Sequence, residues 1–154
     1  MPRYWELRRD YPDKETAIRK VLLDPQGPLI EEPQRLLRDD MRDTVQASTL
    51  LTIIGNGANK LSEIANRAGK DSSTISEPLS KLRELGYVSR EVPFGESPKK
   101  SKKGIYHIND SLLRFHYQFI VPYRSILELG RMDMVMQVVL SQLPQFIGQC
   151  WELL

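Results

Sequence analysis

The chain has 154 residues, of which 40% are hydrophobic and 27% are charged, so its composition is that of a globular protein and not of a disordered one. No apolar run is long enough to cross a bilayer, and no signal-peptide pattern is present, which predicts a soluble, cytoplasmic protein with no membrane partner. A single cysteine, Cys150, excludes an internal disulfide, and with only two histidines the sequence offers no zinc site.

The net charge is only +2, but it is unevenly distributed. Residues 44–104 contain ten basic and six acidic side chains, whereas each flanking segment has one more acidic than basic residue. All of the surplus positive charge therefore lies in the central region, as binding to nucleic acid would require. Because the pI of 8.7 is modest, we expect binding by this chain alone to be weak.

Three helices are predicted before residue 56. The first runs from a cap at Asp13 to about residue 23, and the second begins at Glu32 with Pro33 in its first turn and ends near residue 42. Asp43 or Thr44 caps the third, which continues to residue 55.

Two further helices joined by a tight turn are predicted over residues 61–85. Apolar residues recur at helical spacing over residues 61–68, and Gly69 follows where a helix end needs positive φ. Oxygen-bearing side chains at residues 71–73 can cap the second helix, which Gly86 ends. Its predicted buried row consists of Ile75, Leu79, Leu82 and Leu85.

Pro78 interrupts this second helix, because a proline cannot donate to the carbonyl of Thr74. Either the helix begins late, near Thr74, or it bends in its first turn. Both alternatives leave the helix in place but change which side chains face outward.

A β-hairpin follows the helix pair. Residues 87–92 and 104–108 favour strands, and the intervening loop holds prolines, glycine and four lysines. The order of elements predicts a mainly α protein with a small β-hairpin, a winged helix-turn-helix flanked by N- and C-terminal helices.

The C-terminal region is predicted to be helical. Asp110 caps a helix that Pro122 ends, and residues 125–129 add a short one. Pro144 is expected to separate residues 132–140 from a last helix over residues 145–154. The apolar end of that helix (Trp151, Leu153, Leu154) needs a covering surface, which is this chain, a missing partner, or a second copy in a homodimer.

In a winged helix the second helix of the pair enters the DNA major groove, and the wing reaches phosphates. The candidate DNA-binding residues are therefore Lys70, Ser72, Ser73, Thr74, Ser76, Ser80, Lys81, Lys99, Lys100, Lys102 and Lys103. The alternative is that the lysines only keep a loop solvated and the hydroxyls only cap a helix. Since Glu77 and Glu84 repel phosphate and no Arg or Asn lies on the predicted outer face, we expect little sequence preference.

No catalytic or metal centre is predicted, and no cofactor. His107 is interpreted as a strand residue, His116 as part of an aromatic helix, and Cys150 has no neighbouring base. The aromatic residues of that helix and its end are interpreted as core: Phe115, Tyr117, Phe119 and Tyr123.

Several stretches resemble the segment that follows the ATPase domain in P-loop ATPases found mostly in archaea. The matching residues are Pro2-Arg3-Tyr4-Trp5, Leu23-Asp24-Pro25-Gln26-Gly27-Pro28-Leu29, Glu31-Glu32-Pro33, Leu85-Gly86-Tyr87-Val88, Pro98-Lys99-Lys100-Ser101-Lys102-Lys103-Gly104-Ile105-Tyr106, Asp110, Leu113-Arg114-Phe115, Pro122, Arg124-Ser125, Gly148 and Trp151-Glu152. In that family a winged helix follows the ATPase domain and precedes a nuclease-like domain.

The resemblance implies a piece of a longer protein, with a helical linker over 1–43, a winged helix over 44–110 and a helical extension over 111–154. It places the phosphate-binding loop upstream of Met1, since residues 55–60 lack the pattern of such a loop. Neither ATP hydrolysis nor DNA cleavage can then be assigned to this chain. Two functions are left open: binding of duplex DNA, or a protein-interaction module that couples an upstream ATPase domain to a C-terminal effector domain without binding DNA.

Overall fold

The computed structural model describes residues 10–152, with side chains up to residue 150. The predicted apolar end of the last helix and the stretch at residues 2–5 lie outside the described side chains. The described chain divides into two compact units, one formed by residues up to 35 together with those from 119 on, and the other by Leu36–Gln118. The domain boundaries predicted from the sequence remain a prediction.

The first unit is helical. Helix α1 begins as an α-helix over Lys14–Ala17 and continues as a π-helix over Ile18–Leu23, and Asp13 caps it by accepting a 2.7 Å hydrogen bond from the Thr16 N–H. Helix α2 spans Glu32–Asp40 and passes from the first unit into the second. Helices α7, Arg124–Glu128, and α8, Met132–Glu152, complete the first unit.

A ring contact and an ion pair link helices of the first unit. The rings of Phe119 and Phe146, both buried, lie 5.8 Å apart between centroids. Arg19 of α1 donates to Asp133 of α8 over 2.6 Å.

None of the described helices combines the length and the apolar character that a membrane crossing needs.

The second unit contains the predicted helix pair and hairpin. Helix α3 spans Thr44–Gly55, α4 spans Leu61–Ala68 and α5 spans Ser72–Glu84. Strands β1, Val88–Glu91, and β2, Ile105–Ile108, pair antiparallel with Arg90 opposite Tyr106. A single bridge from Lys60 to Ile105 extends the hairpin on its other edge. Helix α6 follows as an α-helix over Ser111–Phe115 and a π-helix over His116–Ile120.

The predicted caps of α3 and α4 are confirmed, whereas Asp71 precedes α5 without the predicted side-chain cap hydrogen bond. Asp43 accepts from the Gln46 N–H over 2.9 Å at the start of α3. Gly69 ends α4 with φ of +66°, a conformation that other residues adopt only at a cost, so the turn into α5 depends on it. The winged-helix architecture predicted from the sequence is confirmed.

The buried row of α5 is confirmed for three of its four residues. Ile75, Leu79 and Leu82 have no exposed surface, whereas Leu85 is 37% exposed, so its predicted burial is wrong. The physical reason is its position, because Leu85 follows the last helical residue and is the C-cap rather than part of the packed stripe.

The prolines have different outcomes. The predicted late start of α5 is wrong, because the helix begins at Ser72 and continues through Pro78, while the predicted bend stays a prediction. The helix that follows Asp110 ends at Ile120, close to its predicted end, and a 3₁₀ turn over Val121–Tyr123 leads from it into α7. The predicted break at Pro144 is wrong, because this residue lies inside the continuous α8. Each proline removes one backbone donor, and buried residues on both sides of Pro78 and of Pro144 keep the helix packed despite that loss.

Candidate nucleic-acid interface

The outward face of α5 carries most of the predicted helix contacts. Because Ile75, Leu79 and Leu82 are fully buried, the remaining positions of the helix face solvent. Ser73, Thr74, Ser76, Ser80 and Lys81 are exposed, Ser72 is half-buried at the helix start, and Lys70 is exposed in the turn before it. We call Ser73, Thr74, Ser76 and Ser80 the hydroxyl face.

The hydroxyls of this face differ in their availability. The Ser76 Oγ donates to the carbonyl of Ser72 over 2.7 Å, an intrahelical bond that uses its one proton. Ser76 can therefore donate to a phosphate only by giving up this bond. Of the four residues of the hydroxyl face, Ser76 is therefore the least available as a hydrogen-bond donor to DNA.

A groove of about 460 Å³ separates the C-terminal half of α5 from β1. It is lined by Ser80, Arg83, Glu84, Val88, Ser89 and Arg90. Arg83 is exposed on the flank of α5 that faces β1, so an arginine lies beside the hydroxyl face although the predicted outer face itself carries none. The spacing of Arg83, three residues after Ser80 and seven after Ser76, is the sequence signal that places it beside the hydroxyl face. A guanidinium there can make the bidentate contact that a serine cannot.

The four predicted wing lysines are all exposed on the loop formed by residues 92–104, which we call the wing loop. Lys103 Nζ lies 3.4 Å from Glu96 Oε1. Within the described part of the chain, Lys99, Lys100 and Lys102 form no ion pair. These three ammonium groups are therefore available to neutralise phosphates.

Hydrogen bonds within the wing loop hold its shape. The Ser101 hydroxyl donates to the Glu96 carboxylate, and this bond, supported by the charge of Lys103, lowers the pKa of Glu96 below its ordinary value. Arg90 donates to the Pro98 carbonyl over 2.7 Å and to the Ser101 carbonyl over 2.6 Å. The guanidinium thus braces the loop that carries the lysines.

The structure places the predicted residues on one unit but not in one patch. Ser80 shares the groove with Arg90 at the base of the hairpin, while Ser73 and Thr74 lie in the first turn of α5 and Lys70 in the turn before it. The wing lysines lie on the loop beyond the groove and do not line it. The arginines at positions 83 and 90 were missed by sequence reasoning.

The histidines and the cysteine do not form a site. His107 is half-buried in β2, His116 is buried in α6, and Cys150 is half-buried in α8. Among the described residues, no group of three or more His, Cys, Asp or Glu side chains could hold a metal ion.

Comparison with known proteins agrees with the architecture. Residues 48–90, which run from α3 to β1, match the helix-turn-helix family described as "Bacterial regulatory protein, arsR family". An uncharacterized protein of Methanocaldococcus jannaschii is 31% identical over 143 residues, which cover 93% of this chain and 30% of that protein. The chain thus spans about 30% of the length of this curated relative. No solved structure matches the chain. Residues 48–90 form a helix-turn-helix domain of winged-helix type, similar to the domain of that regulatory family.

Proposed function

We propose that this chain binds duplex DNA, with α5 in the major groove and the wing loop on the flanking phosphates. The observation that carries the proposal is the arrangement of the second unit. The buried side of α5 turns its hydroxyl face and Arg83 outward, on the same small unit as the three unpaired wing lysines. The match of residues 48–90 to a helix-turn-helix family of regulatory proteins supports this assignment.

The chemistry of the wing lysines and of the hydroxyl face predicts affinity for DNA with little sequence preference. Lysines act as point charges on phosphates and read no sequence, whereas serine and threonine hydroxyls bond either phosphates or base edges. Arg83 and Lys81 are exposed α5 side chains that can contact a guanine, and Glu84 beside Arg83 repels phosphate.

Salt dependence tests the proposal. Binding of a fluorescent duplex of mixed sequence is measured by anisotropy at several salt concentrations, for the parent protein and for the double variant Lys99→Ala/Lys100→Ala. In a plot of the logarithm of the binding constant against the logarithm of the salt concentration, loss of two phosphate contacts should make the slope less steep by about 2. The control is Lys14→Ala/Lys20→Ala, which removes the same charge from α1, where both side chains are exposed.

The proposal stands if only the wing variant changes the slope. It falls if the parent protein does not bind the duplex at low salt, or if the two double variants weaken binding equally. Equal weakening would mean that only the net charge of the protein matters.

A second proposal concerns the protein in which this region works. We infer from the resemblance to archaeal P-loop ATPases that the winged helix is coupled to an ATPase domain and relays its nucleotide state. The relative from Methanocaldococcus jannaschii supports a larger context, since it is several times longer than the region it shares with this chain. Association of this chain with the ATPase domain, measured by titration calorimetry with and without ATP, tests the relay; no association in either state would refute it.

A further inference from the structure

Phe94 is the most exposed large apolar side chain among the described residues, and it lies on the wing loop. Side chains of this size are usually buried, and an exposed aromatic ring commonly marks a contact surface. Phe94 is the one aromatic residue of a loop that carries four lysines, which makes a contact function for its exposed ring worth testing.

The backbone presents Phe94 at the apex of a defined turn. The Glu96 N–H donates to the Pro93 carbonyl over 3.1 Å, which closes a four-residue β-turn with Phe94 and Gly95 at its centre. Gly95 has φ of +85°, and no non-glycine residue among those described has positive φ. This combination is that of a type II turn, which needs glycine at the third position. The ring of Phe94 is therefore carried at the second position of a hydrogen-bonded turn.

The turn is anchored on its C-terminal side. Glu96, its last residue, accepts from the Ser101 hydroxyl and lies 3.4 Å from Lys103 Nζ. Arg90 of β1 fixes the carbonyls of Pro98 and Ser101. These bonds restrain the loop backbone without a ligand, so less conformational entropy of the backbone is lost when the ring contacts a partner.

The charge around the ring indicates what that partner is. Residues 93–103 contain four lysines and one glutamate, and Lys99, Lys100 and Lys102 are exposed beside the turn. An apolar wedge flanked by cations is the combination with which proteins enter the minor groove, where the wedge unstacks a base step while the cations hold the phosphates. The helix-turn-helix match of residues 48–90 favours duplex DNA over a lipid surface.

We propose that Phe94 is a wedge that enters the DNA minor groove at the wing and partly unstacks one base step. This inference rests on the proposed DNA binding and adds a residue and a DNA deformation to it. It predicts that binding has two separable parts, a salt-dependent one from the lysines and a salt-independent one from the ring.

The experiment uses the full chain and duplexes that contain 2-aminopurine, whose fluorescence rises when its stacking is lost. The parent protein should raise the fluorescence at saturation. Phe94→Ala should bind about tenfold more weakly, with an unchanged salt slope and no fluorescence rise. Phe94→Leu should restore most of the rise, because an aliphatic wedge can replace the ring. The matched control is Val45→Ala, which removes a 77% exposed apolar side chain from α3 and should change neither readout.

The outcomes separate this inference from DNA binding itself. If Phe94→Ala binds the duplex as tightly as the parent with the same fluorescence, the wedge is refuted and DNA binding stands. If the parent protein does not bind the duplex, the proposed function fails first. If Phe94 is needed for binding to vesicles of phosphatidylserine and phosphatidylcholine, while duplex fluorescence never rises, the ring is a membrane contact and the inference is overturned.

Discussion

The guanidinium of Arg90 lies so close to the backbone of Gly104 that a Cβ at position 104 would overlap it. Gly104 is not among the glycines with positive φ, so it is required for close approach and not for an unusual backbone conformation. From this position Arg90 reaches the carbonyls of Pro98 and Ser101, and its Cζ lies 6.0 Å from the centroid of the Tyr106 ring opposite. The absence of a side chain at Gly104 thus leaves space for the Arg90 guanidinium, which holds the wing loop.

Gly104→Ala should therefore destabilise the protein and weaken its binding to DNA. The added methyl group displaces the guanidinium and breaks one or both of its hydrogen bonds, at a cost of about 1–2 kcal/mol in the free energy of unfolding. Chemical denaturation measures this loss. The control is Gly148→Ala in α8, where an added Cβ meets nothing, and where we expect a gain of about 0.5–1 kcal/mol from helix propensity. Equal stability of Gly104→Ala and the parent would show that Arg90 does not depend on this gap.

Arg90→Lys should loosen the wing loop although it keeps the charge. A lysine cannot hold two carbonyls in the fork that a guanidinium provides. Limited trypsin digestion should then cut at the wing lysines about tenfold faster, since loss of one such bond raises the open population by about that factor. Arg83→Lys is the matched control, because the Arg83 side chain is exposed on α5 and its guanidinium forms no hydrogen bond or ion pair within the described chain. Similar cleavage rates for the two variants would contradict the brace.

The helix pair could be predicted from the sequence because its signals are local. Asp43 and Gly69 lie at the ends of apolar stripes, and caps act within four residues of a helix end. The effect of a proline is not local in this way. The start of α5 at Ser72, ahead of Pro78, depends on Leu79 and Leu82 being buried by other elements, which periodicity alone does not determine.

The candidate site was only partly predictable. The lysine run is visible as composition, and its position between two strand patterns predicted a wing. The contacts of Arg90 could not be predicted, because its guanidinium bonds two backbone carbonyls of the wing loop, eight and eleven residues away, and backbone carbonyls give no sequence signal. The exposure of Phe94 depends on the turn that closes at Glu96, and an isolated aromatic residue in the sequence gives no sign of it.

Tyr87→Phe should destabilise the second unit. The Tyr87 hydroxyl donates to Asp40 Oδ2 over 2.6 Å, which joins the residue before β1 to the end of α2. Burial, and after it this hydrogen bond, raises the pKa of Tyr87 above its ordinary value. Loss of the bond should cost about 1–2 kcal/mol, since the acceptor is charged. A double-mutant cycle with Asp40→Asn should show coupling of about 1 kcal/mol. The same cycle with the neighbouring Asp39→Asn should show almost none, and equal coupling in both cycles would rule out a specific bond.

Folding stability should fall as the pH drops below 6.5 because of His107. Burial lowers the pKa of His107 from its ordinary 6.5; Glu91, 3.9 Å away, raises it and Arg114 lowers it further. Since the pKa in the folded state is below that in the unfolded state, the unfolded chain binds the proton more readily. The contribution of His107 is therefore fully present above pH 6.5 and is lost as the pH falls through the lowered pKa.

His107→Gln should flatten this part of the stability curve, because a neutral amide does not titrate. The denaturation midpoints of the parent and His107→Gln are measured between about pH 7.5 and 5. If the parent is the more stable protein at neutral pH, the difference between the two midpoints should shrink as the pH falls. Glu91→Gln should steepen the loss, because it removes the one neighbouring charge that favours protonated His107. The carboxylates titrate at lower pH and are common to the parent and His107→Gln, so parallel curves for these two proteins would refute a role of His107 in the pH dependence.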